Sequence, residues 1–163
     1  MYIAEIRIEN FRLFGAGDQA FVLQLTQGLT ALVGENDAGK TAVIDALRLV
    51  LGTRDQEIPG LNPMDFHQPA PGAERAEQIC IRLIFRGLTT ADRGAFAEFL
   101  NYETIAGATD TALIVTWVAK RNAKGSNSLA CCRFRGHRDK VFNGTGELEC
   151  REGSSAASSS LRQ

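Results

Sequence analysis

The sequence predicts an α/β domain in which a β-sheet packs against a single buried helix. Three observations carry that prediction. Residues 2–9 alternate apolar and polar side chains, the two-residue period of a half-buried strand. Residues 29–33 are apolar on both faces and run into a polar loop bounded by Gly34 and Gly39. Directly after the loop, Val43, Ile44, Leu47, Val50 and Leu51 recur at helical spacing,. The chain has 163 residues, 44% of them apolar and 23% charged, which are the proportions of one ordinary globular domain. Its net charge of −1 removes any argument for polyanion binding by the molecule as a whole. No apolar run reaches membrane-spanning length, and Glu5 and Arg7 interrupt the N-terminus where a signal peptide would lie,. A cytoplasmic protein without membrane contact is expected.

The elements are taken in chain order. Ala4, Ile6 and Ile8 form the buried face of the first strand, with Glu5, Arg7 and Glu9 opposite. Gly15-Ala16-Gly17-Asp18 turns the chain,, and Phe21, Leu23 and Leu25 mark an antiparallel second strand,. Leu29 to Val33 is expected as a strand covered on both sides. The helix after the loop carries only Asp45 and Arg48 as charges before Gly52 stops it,, so it should be mostly buried. Residues 53–77 hold all four prolines and are expected as a long surface connection. Ile79, Ile81, Leu83 and Phe85 alternate as a strand; Thr89 or Thr90 can cap a helix that turns Phe96, Phe99 and Leu100 to the core,. Thr111 to Val118 is a β-branched strand, and Leu129 to Arg135 is expected to pair with it as a hairpin,. The folded unit is placed at 1–152, with the Ser-rich residues 153–163 as a flexible tail,. Cys80, Cys131, Cys132 and Cys150 form no CxxC pair and read as reduced, buried thiols; Cys132 with His137 is too few ligands for zinc.

Gly34-Glu35-Asn36-Asp37-Ala38-Gly39-Lys40-Thr41 matches the phosphate-loop pattern GxxxxGK[ST] in full,. Glycines let backbone N–H groups curl around an anion, and the following helix directs its positive end at the phosphates. Lys40 can reach the β- and γ-phosphates, and the Thr41 hydroxyl can ligate Mg²⁺. Four fixed positions in a chain of this length arise by chance about once in 200 sequences. The strand–loop–helix context strengthens the match much further.

Ile6-Arg7-Ile8-Glu9-Asn10-Phe11-Arg12-Leu13-Phe14, then Gly28 to Thr41, then Asp45-Ala46-Leu47, resembles the start of an ABC-type ATPase head. The similar proteins are SMC and RecF proteins and, most closely through Gly-Glu-Asn-Asp-Ala-Gly-Lys, OLD-family ATP-dependent endonucleases. The resemblance covers residues 1–52. It implies a P-loop NTPase, the N-terminal lobe of such a head with a mixed sheet around the loop helix. It further implies that ATP and Mg²⁺ bind through Arg12, Gly34, Asn36, Asp37, Ala38, Gly39, Lys40, Thr41 and the backbone amide of Ala42, with Thr41 on the metal. Arg12 can equally be read as a solvated cation on a strand-end loop. In complete relatives of this kind, heads dimerise with ATP and couple to DNA cleavage.

Other parts of such a head are absent from the sequence. Ala112-Leu113-Ile114-Val115 is the nearest apolar run, but Thr116-Trp117 follow it where carboxylates would position Mg²⁺ and water. Gly125-Ser126-Asn127-Ser128 only echoes a signature motif and reads better as a hairpin turn. No acidic nuclease (Toprim) domain is present, and no catalytic residue is identified. Gln56, Gln68 and Gln78 are candidates for a Mg²⁺-sensing glutamine, each equally readable as a surface residue. Asp65-Phe66-His67 lacks an evident partner for acid–base work. Between Trp117 and Lys140 the chain carries Lys120, Arg121, Lys124, Arg133, Arg135, Arg138 and Lys140 against Asp139. DNA-backbone contact is one reading of that run, and a solvated hairpin face is preferred. The length therefore predicts one lobe of a larger ATPase. The alternatives are a truncated nucleotide-binding protein without hydrolysis, which could pair with a full-length head, and a stand-alone small P-loop kinase.

Overall fold

The structure, a computed structural model, describes residues 1–52, 61–105, 108–121 and 129–135. The strands are β1 (Tyr2–Glu9), β2 (Phe21–Gln24), β3 (Gln78–Arg86), β4 (Leu100–Ile105), β5 (Ala108–Lys120) and β6 (Leu129–Arg135); the α-helices are α1 (Lys40–Leu51) and α2 (Thr90–Ala95). They build a six-stranded sheet in the order β2-β1-β3-β5-β4, with β6 also paired to β5. All pairings among the described residues are antiparallel. The long strand β5 serves two partners along one edge: its first half meets β4 and its second half meets β6.

Alternation sets the core. Cross-strand rows Ile6–Leu83–Val115 and Ile8–Ile81–Trp117 place buried side chains on one face, where directly opposed residues pack against each other. The next row, Arg7–Arg82–Thr116, lies on the opposite face. Helix α1 covers the buried face with Ala42, Val43, Ala46, Leu49 and Val50, the spacing of a single helical stripe. Phe21, Leu23 and Leu25 pack at the margin of the same cluster, as their alternation predicts. The α/β fold, the β1–β2 and β5–β6 pairings and the helix beginning at Lys40 agree with the sequence reading.

Four details differ. Residues 29–33 are irregular rather than a strand, and Leu29 and Val33 are 98% and 93% exposed. Their composition suits a two-sided burial that no described strand supplies. Helix α1 is buried on one face only; Ile44 and Leu51 are exposed. The helix capped by Thr89 is a short α2, followed by a 3-10 turn at Ala97–Phe99 and then β4, so Leu100 is buried from a strand. Gly94 weakens the helix, while Tyr102, Thr104 and Ile105 favour extended backbone. Finally, the described part of the proline-rich connection is folded. Asn62 and Asp65 form a reciprocal capping box around the 3-10 turn Pro63–Asp65, and Phe66, 1% exposed, enters the core. The β6 side chains lie outside the described residues. So do Gln56, Lys124, Gly125 to Ser128, His137, Arg138, Asp139, Lys140, Cys150 and the tail, together with most of the predicted basic run. No helix among the described residues is long and apolar enough to cross a membrane.

Candidate phosphate-binding loop

Gly34 to Gly39 form a surface loop that ends at the first residue of α1. Asp37 (φ 64°) and Gly39 (φ 92°) both adopt left-handed backbone, a conformation glycine takes freely and aspartate tolerates. These two bends fold the chain back over the helix end, and the Ala38 N–H donates to the Glu35 carbonyl across the turn (3.3 Å). Lys40 reaches into the concavity, its Nζ donating to the carbonyls of Gly34 (2.6 Å) and Glu35 (2.5 Å). The ammonium therefore sits at the centre of the loop, held among the described residues by neutral acceptors.

The helix end completes the cradle. Gly39 is the N-cap and offers no side-chain cap; the first helical hydrogen bond runs from the Val43 N–H to the Gly39 carbonyl (3.1 Å). The amides of Lys40, Thr41 and Ala42 thus precede the intrahelical ladder, and they lie at the positive end of the helix dipole. Thr41 is exposed at the same rim and Ala42 is buried beneath it. Three amides and one ammonium around a side-chain-free residue suit an anion, and the Thr41 hydroxyl suits a hard cation accompanying it.

The turn after β1 braces this loop. Asn10 (φ 58°) and Arg12 (φ 53°) are left-handed, so Phe11 and Phe14 both turn inward while Leu13 and Phe14 lie against Gly39. A Cβ built on Gly39 would stand 2.9 Å from Phe14 Cζ and 3.1 Å from Leu13 Cδ2. Gly39 is therefore fixed twice, by its φ and by this close approach. Gly34 is not: its φ is ordinary and its nearest neighbour would be Ala38 Cβ at 3.4 Å.

Arg12 is held by carboxylates from two elements. Its Nη1 donates to Asp45 Oδ2 on α1 (2.7 Å), and its Nε donates to Asp65 Oδ1 (2.8 Å). The guanidinium also stands 4.9 Å from the centre of the Phe11 ring,. Burial works against its charge, but the hydrogen bonds and charges of Asp65 and Asp45 outweigh that and hold its pKa above the ordinary value,. The backbone follows the same path: the Arg12 N–H donates to the Asp65 carbonyl (2.7 Å). His67 Nδ1 lies 2.8 Å from the Arg12 carbonyl; since a carbonyl only accepts, Nδ1 carries the proton. The Arg75 guanidinium donates to the Phe66 carbonyl (2.8 Å) and closes the segment.

The structure thus brings Arg12 and residues 34–42 to one end of the sheet. It adds Leu13, Phe14, Asp45 and Asp65, which the sequence did not assign to the site. The one carboxylate of α1, in a helix of mostly apolar residues, was the signal available for Asp45. Gln68 donates to the Ala73 carbonyl (2.8 Å), and Gln78 opens β3. Ala112 to Val115 lie within β5, and the Trp117 that comes after them is buried.

The family model for an AAA domain, AAA_23, matches residues 5–143. The chain belongs to this family. A stretch of 52 residues, 32% of the chain, is 42% identical to the chromosome partition protein Smc of Chlorobaculum tepidum and corresponds to 4% of that protein's length. Two solved structures share the fold. One comes from work on the structural biochemistry of ATP-driven dimerisation and DNA-stimulated activation of SMC ATPases; it has a TM-score of 0.54 at 19% identity, over 83% of this chain and 71% of that one. The other is an Smc head bound to the C-terminal winged-helix domain of ScpA, with a TM-score of 0.54 at 20% identity over 83% of this chain and 36% of that one. This AAA domain therefore has the N-terminal fold of an SMC-type, P-loop NTPase head.

Proposed function

We propose that this AAA domain is the nucleotide-binding lobe of an ATPase head and takes ATP with Mg²⁺ at residues 34–42. The observation that carries the reading is the complete loop motif folded as an anion cradle, with Lys40 at its centre and the α1 amides at its rim. Gly34, Asn36, Asp37, Ala38 and Gly39 would wrap the phosphates, Lys40 would exchange its two carbonyl acceptors for phosphate oxygens, and the Ala42 amide would add a donor. Thr41 would hold Mg²⁺, which supplies charge neutralisation to the phosphate chain. Arg12 would stand beside the nucleotide.

Isothermal titration of the chain with Mg²⁺ and a non-hydrolysable ATP analogue tests this reading directly. Saturable binding is expected for the wild type. Lys40→Ala should weaken it at least about tenfold, because a charge-assisted contact to phosphate is lost. No heat at millimolar ligand would refute the assignment.

Exposed apolar side chains flank the loop on both sides, at Leu29, Leu32 and Val33 before it and Ile44 and Leu51 after it. That supports a lobe that packs against further protein, and we read the domain as part of a head that pairs with a second copy in the ATP-bound state. Within that class the Gly-Glu-Asn-Asp-Ala-Gly-Lys loop favours an OLD-type protein, in which the heads couple ATP to DNA cleavage. DNA contact by this lobe itself would be weak. ATP-dependent cleavage of plasmid DNA by the longest natural product containing this lobe tests the OLD reading; clean ATP turnover without cleavage would leave an SMC-like ATPase instead.

A further inference from the structure

Arg12 commits two of its three nitrogens to carboxylates. Nε is bound to Asp65 and Nη1 to Asp45, from elements that are otherwise separate: a 3-10 turn and the phosphate-loop helix. Arg48 adds a longer contact to Asp45 (3.4 Å), so two cations and two carboxylates balance in one network. The guanidinium is planar and rigid. Fixing Nε and Nη1 therefore also fixes the direction of Nη2 and its two hydrogens. Asp65 is itself held, since its Oδ2 accepts from the Asn62 N–H in the capping box (2.9 Å). Asp45 lies five residues after Lys40 on α1, and the neighbours of Arg12 in sequence, Leu13 and Phe14, touch Gly39. The same turn thus reads the loop, the helix and the 61–67 segment.

We propose that Asp45 and Asp65 are positioning residues that clamp the Arg12 guanidinium with Nη2 available to the phosphates, so that the order of residues 61–67 and occupancy of the loop are coupled. This rests on the nucleotide reading above. The clamp orients a donor that would otherwise sample many rotamers, and orientation of this kind strengthens binding without adding a contact. Phosphate on Nη2 in turn holds Arg12 against Asp65, which ties down the capping box and Phe66.

The test is a double-mutant cycle on affinity for a non-hydrolysable ATP analogue with Mg²⁺, using wild type, Asp65→Asn, Arg12→Met and the double variant. Asparagine keeps an acceptor for the Asn62 amide while removing the charge, so the cap survives; thermal melts confirm that each variant is folded at the assay temperature. Asp65→Asn is expected to weaken binding about fivefold to tenfold in the wild-type background and to have no effect in the Arg12→Met background. Asp45→Asn is expected to behave the same way, and Asp65→Glu to restore part of the affinity. Hydrogen exchange at residues 61–67 should slow on adding the analogue to wild type and stay unchanged in Arg12→Met. Equal losses from Asp65→Asn in both backgrounds would overturn the inference, because they mark a role that does not pass through Arg12. Tighter binding by Asp65→Asn would overturn it too, since the carboxylate would then be competing with phosphate. If the wild type binds nothing, the nucleotide reading fails and the inference goes with it; if wild type binds and the variants match it, the inference alone fails.

Discussion

Gly39→Ala separates the two reasons for which a glycine can occupy a phosphate loop. At φ 92° an alanine incurs the left-handed penalty of about 1–2 kcal/mol. Its methyl would also stand 2.9 Å from Phe14 Cζ and 3.1 Å from Leu13 Cδ2. Phe14 is buried and tilted against Phe21 with ring centres 4.8 Å apart, so the ring cannot swing away freely. Overpacking of that kind costs about 1–3 kcal/mol. The lower entropy of the unfolded alanine chain returns about 0.4–1 kcal/mol, which leaves a net loss of about 1–4.5 kcal/mol. For a domain of this size each kcal/mol lowers Tm by about 2–4 °C, and the expected fall is roughly 2–18 °C. Gly34→Ala is the internal control: with ordinary φ and 3.4 Å to its nearest neighbour, it should change stability by less than about 0.5 kcal/mol. Urea unfolding and thermal melts of both variants measure the contrast. A Gly39→Ala protein as stable as Gly34→Ala would refute the reasoning, because neither the backbone strain nor the contact with the β1–β2 turn would then be real.

Phe66→Ala should cost about 3–5 kcal/mol, measured by urea unfolding, because the side chain is fully buried beside Phe11; a loss below about 1 kcal/mol would return residues 61–67 to the status of a surface connection. Asp92 gives a pH prediction. Its acceptance of the Thr89 backbone N–H, then of the Thr89 side-chain contact, and its proximity to the N-terminal ammonium outweigh burial and lower its pKa. A depressed carboxylate contributes stability above its unfolded pKa of about 3.9 and loses it as pH falls through the folded value. Acid melts of Asp92→Asn should therefore show a shallower decline below about pH 4 than wild type, and parallel curves would contradict the cap.

Legibility in the sequence tracked distance along the chain. The loop, the start of α1 and its stop at Gly52 were readable because each is a local matter: glycine φ freedom, the positive helix end and a periodic stripe lie within about twenty residues. The inward faces of β1, β3 and β5 were readable for the same reason, since alternation is written residue by residue. The short α2 and the strand β4 were less so. Thr89 with Asp92 announces a helix start, but the path of the chain beyond Ala95 is decided by Leu100 pairing with Leu113 on β5, a partner that Phe96 and Phe99 do not reveal.

The same distinction explains why the Arg12–Asp65 pair and the burial of Phe66 were not legible, and why one strand was expected where none forms. Arg12 and Asp65 lie 53 positions apart, and nothing local marks an aspartate after Pro63 as the partner of an arginine after β1. Phe66 hides among prolines, whose usual meaning is a loop; here the Pro63 ring merely starts a 3-10 turn whose capping box delivers Phe66 to the core. Leu29 to Val33 shows the converse. Apolarity on both faces reports how much surface a segment needs covered, not which element covers it. Strand pairing requires an open edge at the right height, and residues 29–33 pair with no described strand. The residues around it carry the same imprint: Ile44 and Leu51 on α1 face away from the sheet, although the helical period counts them with the core. Composition therefore counts the apolar surface of these side chains without placing it, and they stand exposed while the described sheet fills only the face beneath α1. The phosphate loop lies between these two exposed apolar stretches, so the sequence signal for a core and the signal for an anion cradle occupy adjacent residues.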